Sequence, residues 1–139
     1  MSSAVLYARE TAVDVAEFRR VLVESGLAKV RPVHDERRLA ALICGANLIV
    51  TARLNTEARP LVGVARCVSD FSWCCYVSDL AVARSAQGKG IGQGLLEEAR
   101  RHLGPEVSVV LVSLPEAVGF YVRAGMTRLA DAFMYQRAR

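Results

Sequence analysis

Lysine, histidine and tryptophan are nearly missing from this chain, which has two, two and one of them among 139 residues. Aromatic residues make up only 6%, and no run of lysine and arginine exceeds two residues. A nucleic-acid surface needs a dense basic patch interleaved with rings, so no nucleic-acid partner is expected. Four cysteines, Cys44, Cys67, Cys74 and Cys75, form no CxxC pair and have no histidine at metal spacing. They read as small, buried, reduced residues, with no metal. Apolar runs fall far short of a membrane span, and Met1-Ser2-Ser3 leads into no basic-then-apolar leader. The expectation is a cytoplasmic protein with no membrane partner.

What is there is globular: 53% hydrophobic and 23% charged, enough to bury a core as one domain over residues 1–139. The net charge is +4, and sixteen of the eighteen basic residues are arginine, spread along the chain. Such a field is mostly a solvated surface, yet it favours approach of a phosphate-bearing ligand.

Hydrophobic spacing predicts a strand at Val5–Arg9 and a helix capped by Thr11 that runs to Ser25 and stops at Gly26. Asp35 caps a second helix ending at Gly45. Leu48–Leu54 and Leu61–Val68 form a hairpin about the turn Asn55–Pro60, and Trp73–Val82 is a long strand. A helix over Gly90–Leu103 turns Ile91, Leu95, Leu96, Ala99 and Leu103 inward, with Glu97 and Arg101 paired outside. Val107–Val112 is a buried strand, Glu116–Ala124 a short helix, and Met126–Gln136 supplies one or two closing strands. This order describes an α/β fold, a mixed sheet with helices on both faces.

The most informative segment is Ser78–Gly94, SDLAVARSAQGKGIGQG. Gly88, Gly90, Gly92 and Gly94 alternate where a strand ends and a helix begins. Glycine is a poor helix former; its repetition here suits close approach of backbone N–H groups to an anion, aided by the helix dipole and by Lys89. The alternative is a tight turn with close helix–sheet packing. A P-loop is excluded because Gly90, not Ser or Thr, follows Lys89, and GxGxxG fails at Gln93 and at Leu95. The pattern present is Gln-x-x-Gly-x-Gly, Gln87-Gly88-Lys89-Gly90-Ile91-Gly92.

This pattern resembles the signature of the GNAT superfamily of acyl-CoA-dependent N-acyltransferases. Asp79-Leu80-Ala81-Val82 looks like its fourth strand, and Ala117-Val118-Gly119-Phe120-Tyr121-Val122-Arg123-Ala124-Gly125-Met126 is similar to its AxxFYxxxGF segment, with Met126 in place of Phe. The resemblance implies a mostly antiparallel sheet splayed between the fourth and fifth strands. It also implies acetyl-CoA as co-substrate. The N–H groups around Gln87, Gly88, Lys89, Gly90, Ile91 and Gly92 would hold its pyrophosphate, and the backbone of Leu80, Ala81 and Val82 its pantetheine arm. In the matched position Tyr121 protonates the leaving thiolate; otherwise it is a half-buried ring beside Phe120. Asp79 is the candidate general base, or else a structural carboxylate, or the base is water. Asp70 reads as a turn residue and His34 as a cap neighbour. Trp73 and Phe71 are either an acceptor wall or hairpin core, and Leu114 replaces an asparagine common in the family. The expected reaction is direct N-acetylation of a primary amine, on a small molecule or else a peptide or protein. A non-catalytic acyl-CoA-binding module stays open, as does a homodimer.

Overall fold

The computed structural model describes residues 4–139. Its five strands are β1 (Val5–Glu10), β2 (Leu48–Leu54), β3 (Leu61–Ser69), β4 (Cys74–Val82) and β5 (Ser108–Val110). They lie in that order, antiparallel from β1 to β4 and parallel between β4 and β5. Helices α1 (Val15–Ser25) and α2 (Glu36–Gly45) cover one face, packing Phe18, Leu22, Leu39 and Ile43 on Ile49, Leu61, Val64 and Ala81. Helix α3 (Ile91–Leu103) covers the other; all five of its predicted inward residues are buried, and Ile91, Leu95, Ala99 and Leu103 join the core on that face. A short α4 (Val118–Arg123) follows β5.

Local signals account for most boundaries. Asp35 accepts the Arg38 N–H and caps α2, while Gly26 ends α1 at φ +89°, a conformation that costs other residues more. Five expectations are corrected. The strand expected to be buried over Val107–Val112 spans only Ser108–Val110, and Ser108, Val110 and Val112 are exposed. Helix α1 is capped by Asp14, whose carboxylate accepts the Glu17 N–H at 3.1 Å, and not by Thr11; starting there puts Val13 and Phe18 in the core. Arg101 pairs with Glu98 rather than Glu97, and Glu98 also meets His102 one turn on. Cys44 and Cys74 are exposed, while Cys67 and Cys75 are buried. The segment Met126–Gln136 forms no strand: it lies beyond α4 without sheet partners.

Two features shape the functional end. The β3–β4 register shifts between Arg66 and Cys67, which face Asp79 and Val77 and leave Ser78 as an extra residue. Such a bulge bends its strand and increases its twist. Strand β4 pairs with β5 only from Cys74 to Tyr76, then runs on through six residues to Val82. The two strands therefore part just before the bulge, the splay that the fold class implies.

The cap assignment is directly testable. Replacing Asp14 with Ala should lower unfolding stability by about 1 kcal/mol, whereas Thr11→Ala should leave it nearly unchanged; urea titrations of both variants check this. The reverse order would return the cap to Thr11.

Candidate active site

The opening between β4 and β5 leads to the loop that starts α3. After a single turn at Arg84–Ala86, the Gln87 side-chain amide donates to the Val82 carbonyl at 3.0 Å and ties the loop back to the strand. Gly88 and Gly90 both adopt φ +79°, and a Cβ built on either would meet no atom within 4 Å. Their lack of side chains thus serves the left-handed turn and leaves open space before it. Gly90 is the N-cap of α3 and brings no side-chain cap. From Gly88 to Gln93 the backbone N–H groups find no acceptor among the described residues; Gly94 is the first to bond back, to the Gly90 carbonyl at 3.0 Å. Free donors at a helix N-terminus form a site for an anion. Lys89 is exposed beside them, and Arg84 and Ser85 line an open cleft of about 550 Å³ with Val23 and Glu24 of α1.

The other two glycines answer to packing. A Cβ on Gly92 would lie 2.9 Å from the Phe120 ring, and one on Gly94 2.5 Å from Cζ of Tyr7. Gly92 therefore lets α4 sit against the first turn of α3, which carries Tyr121 to the same end of the molecule. The Phe120 and Tyr121 rings meet edge to face, with centroids 5.0 Å apart. Burial raises the Tyr121 pKa above its ordinary value, so the hydroxyl stays protonated through neutral and mildly alkaline pH. It makes no hydrogen bond to the described residues, which leaves it available as a donor.

Asp79 faces elsewhere. It is 1% exposed; Oδ1 takes the Arg31 Nε–H and Oδ2 the Arg66 Nε–H, each at 2.5 Å. Arg31 also donates to the Ser78 carbonyl at 2.7 Å, and Arg66 to the Ser78 hydroxyl at 2.7 Å and the Leu42 carbonyl at 3.2 Å. With both oxygens held by guanidinium groups, this carboxylate is built as a clamp on the bulge and is poorly placed to accept a substrate proton. The structural alternative for Asp79 is thus the one the geometry supports. Sequence reasoning missed Arg31, Arg66 and Ser78; a charged Arg66 inside the otherwise apolar Leu61–Val68 was the available signal.

The remaining candidates fall into minor roles. Asp70 accepts the N–H groups of Ser72, Trp73 and Cys74 at 2.8–3.1 Å, and these bonds, the Ser72 N–H foremost, lower its pKa. His34 is exposed in the turn before α2. Phe71 is half-buried beneath the Arg9 guanidinium, whereas Trp73 is 77% exposed and belongs to no hairpin core. Leu114 precedes the turn into α4. Among the described residues no group of three or more His, Cys, Asp or Glu could hold a metal, and no helix is long and apolar enough to cross a membrane.

A sequence model of the acetyltransferase (GNAT) family matches residues 16–126. Among solved structures, a GNAT-family acetyltransferase from Streptococcus pneumoniae TIGR4 superposes with a TM-score of 0.71 at 20% identity, over 97% of this chain and 99% of that one. An aminoglycoside acetyltransferase from an uncultured soil metagenomic sample gives 0.69 at 20%, over 96% and 97%. A Trypanosoma brucei acetyltransferase gives 0.68 at 16%, over 96% and 99%. No curated protein matches the sequence.

Asp79→Asn separates the two roles of that residue. Loss of one charge from a buried ion cluster should cost about 3–5 kcal/mol of stability, read by urea unfolding. Undiminished stability with a collapsed turnover rate would instead make Asp79 a chemical participant.

Proposed function

The chain belongs to the acetyltransferase (GNAT) family, and from that premise we propose that it acts as one catalytic domain moving an acetyl group from acetyl-CoA to a primary amine. The acceptor in this reading is a small molecule, with a peptide or protein amine as the second choice. The transfer is direct, within a ternary complex. The observation that carries the reading is the row of free N–H groups over Gly88–Gln93, set at the end of a β4 edge that β5 leaves unpaired. The aminoglycoside acetyltransferase among the structural neighbours is a precedent for a small amine on this fold.

Each residue then has a stated task. The amides of Gly88 to Gly92, with Lys89 alongside, hold the pyrophosphate, and Gln87 keeps their loop on the end of β4. Leu80, Ala81 and Val82 offer backbone to the pantetheine arm as to an added strand. An N–H near Leu80 polarises the carbonyl, whose oxygen gains charge in the transition state. When bound, acetyl-CoA supplies the activated thioester. Tyr121 gives its proton to the sulfur as the carbon–sulfur bond breaks and the new carbon–nitrogen bond forms. The proton lost by the amine passes to water, since Asp79 is taken up by Arg31 and Arg66.

Two tests bear on this mechanism. Gly90→Asp adds a carboxylate where nothing in the chain obstructs it, directly before the anion site; calorimetry should find coenzyme A binding abolished in a folded variant. Lys89→Ala should weaken binding less, because backbone donors do most of the holding. Undiminished affinity of Gly90→Asp would remove the phosphate role of the loop.

Tyr121→Phe keeps the ring and removes the proton. Single-turnover acetyl transfer to the best acceptor of an amine screen should slow about a hundredfold, while coenzyme A affinity changes by no more than about 1 kcal/mol. An unchanged rate would take Tyr121 out of the mechanism, and a wild type that turns over no acceptor would favour a binding module.

A further inference from the structure

Alternation along β3, β4 and β5 sends Cys67, Cys75 and Val109 into the core beneath α3. Their chain neighbours Val68, Tyr76 and Val110 therefore point to the opposite face, the one that carries α1 and α2. Register aligns these three in one row across the strands. The row stays outside the core under α1 and α2: Val68 is 47% exposed, Tyr76 41% and Val110 37%. Val112, just beyond β5, is exposed as well. Three contiguous apolar side chains left open to water mark a surface with a use.

The row sits at the fork of the sheet. Tyr76 and Val110 are the last residues that pair β4 with β5, and the bulge residue Ser78 lies two positions further along β4. This inference rests on the transferase reading proposed above, in which the pyrophosphate is held at the start of α3 and the pantetheine arm lies along β4. An arm that runs from the α3 side through the opening between β4 and β5 brings its thioester out on the other face. There the pair of Tyr76 and Val110 is the nearest exposed floor on which the body of an attacking amine can rest.

The charges around that floor decide what kind of amine it suits. Strands β3 and β5, and the stretch from β5 to Leu114, hold no carboxylate. Asp79 of β4 is taken by Arg31 and Arg66, Asp35 caps α2 through the Arg38 N–H, and Glu36 lies 3.8 Å from Arg19. Lys29, Arg37 and Arg38 of the segment over α2 and the turn before it add positive charge. A polyamine or an aminoglycoside, with several ammonium groups, is repelled by such a surface and meets no carboxylate that is not already engaged. An uncharged body gains instead by taking apolar surface out of water. We propose that the acceptor is a primary amine with an uncharged apolar body, of the arylalkylamine or alkylamine class, seated on the row of Val68, Tyr76 and Val110, with Tyr76 as its specificity-determining residue. The Tyr76 ring, with a valine on either side, offers the broadest apolar contact in the row.

The test measures acetyl transfer from acetyl-CoA to 2-phenylethylamine, hexylamine, spermidine and an aminoglycoside, with coenzyme A affinity followed by calorimetry in parallel. The value of kcat/KM should be about a hundredfold higher for the two apolar amines than for the two polycations. Tyr76→Ser should raise KM for 2-phenylethylamine about tenfold while kcat and coenzyme A affinity hold, and Tyr76→Phe should restore it. Val68→Glu, at an exposed position, should raise kcat/KM for spermidine about tenfold by giving the second ammonium a partner. Turnover of spermidine or the aminoglycoside as good as that of the apolar amines overturns the proposal and leaves the transferase reading standing. So does failure of all four amines in a protein that still binds coenzyme A, and so does an unchanged KM in folded Tyr76→Ser. A wild type that binds no coenzyme A strikes the transferase reading itself, and this inference with it.

Discussion

One buried carboxylate holds the functional end of the molecule together. Asp79 joins the turn after α1 through Arg31 and, through Arg66, both β3 and the Leu42 carbonyl of α2. Burying Asp79 and Arg66, with Arg31 partly buried beside them, is costly, and the geometry offsets the cost with short charge-assisted bonds at both carboxylate oxygens. The cluster surrounds Ser78, the extra residue of the β4 bulge, and bonds both its carbonyl and its hydroxyl. Held in this way, the bulge sets the course of β4 just after its last pairing with β5. The unpaired edge at Leu80–Val82, the loop beyond and the first turn of α3 all lie downstream of that bend.

Helix α3 adds the second constraint, and glycine is the means. Gly63 on β3 admits Leu95 and Ile91, whose methyl groups would lie 3.0 and 3.1 Å from a Cβ there. Gly94 admits the Tyr7 ring and Gly92 the Phe120 ring. The helix is thereby seated close against both the sheet and α4, and its N-terminus is carried on a rigid support. The alternating glycines of the loop have two physical origins: Gly88 and Gly90 turn the backbone, while Gly92 and Gly94 make room for neighbours. A donor array suited to a phosphate emerges where those two requirements overlap, because the first turn of a helix leaves its N–H groups without partners.

Much of this architecture is written in local spacing. The inward face of α3, the cap at Asp35, the stop at Gly26 and the bounds Leu48–Leu54 of β2 depend on residues within a few positions of one another, and each is readable there. Where two local signals compete, the fold chooses. Thr11 and Asp14 are both suitable caps, and Asp14 prevails because it brings Val13 and Phe18 into the core. A strand pattern over Met126–Gln136 is equally local, but a strand also needs an edge to pair with, and that depends on where distant chain lies.

The candidate site divides along the same line. The glycine loop with Gln87 and Lys89, and the Phe120-Tyr121 pair, each lie within one short contiguous motif and could be singled out from those motifs alone. Asp79 could be singled out too, as a charge in an apolar strand, but its partners could not be. Arg31 is 48 residues away and Arg66 is 13, and both meet it only because a one-residue shift in the β3–β4 register turns Ser78 and Asp79 toward them. Local patterns of hydrophobicity and capping determined the elements and the loop from sequence. The register shift, the splay of β4 from β5 and the pairing of Asp79 with Arg31 and Arg66 were decided only by long-range packing, since no local pattern of sequence contains both sides of those contacts.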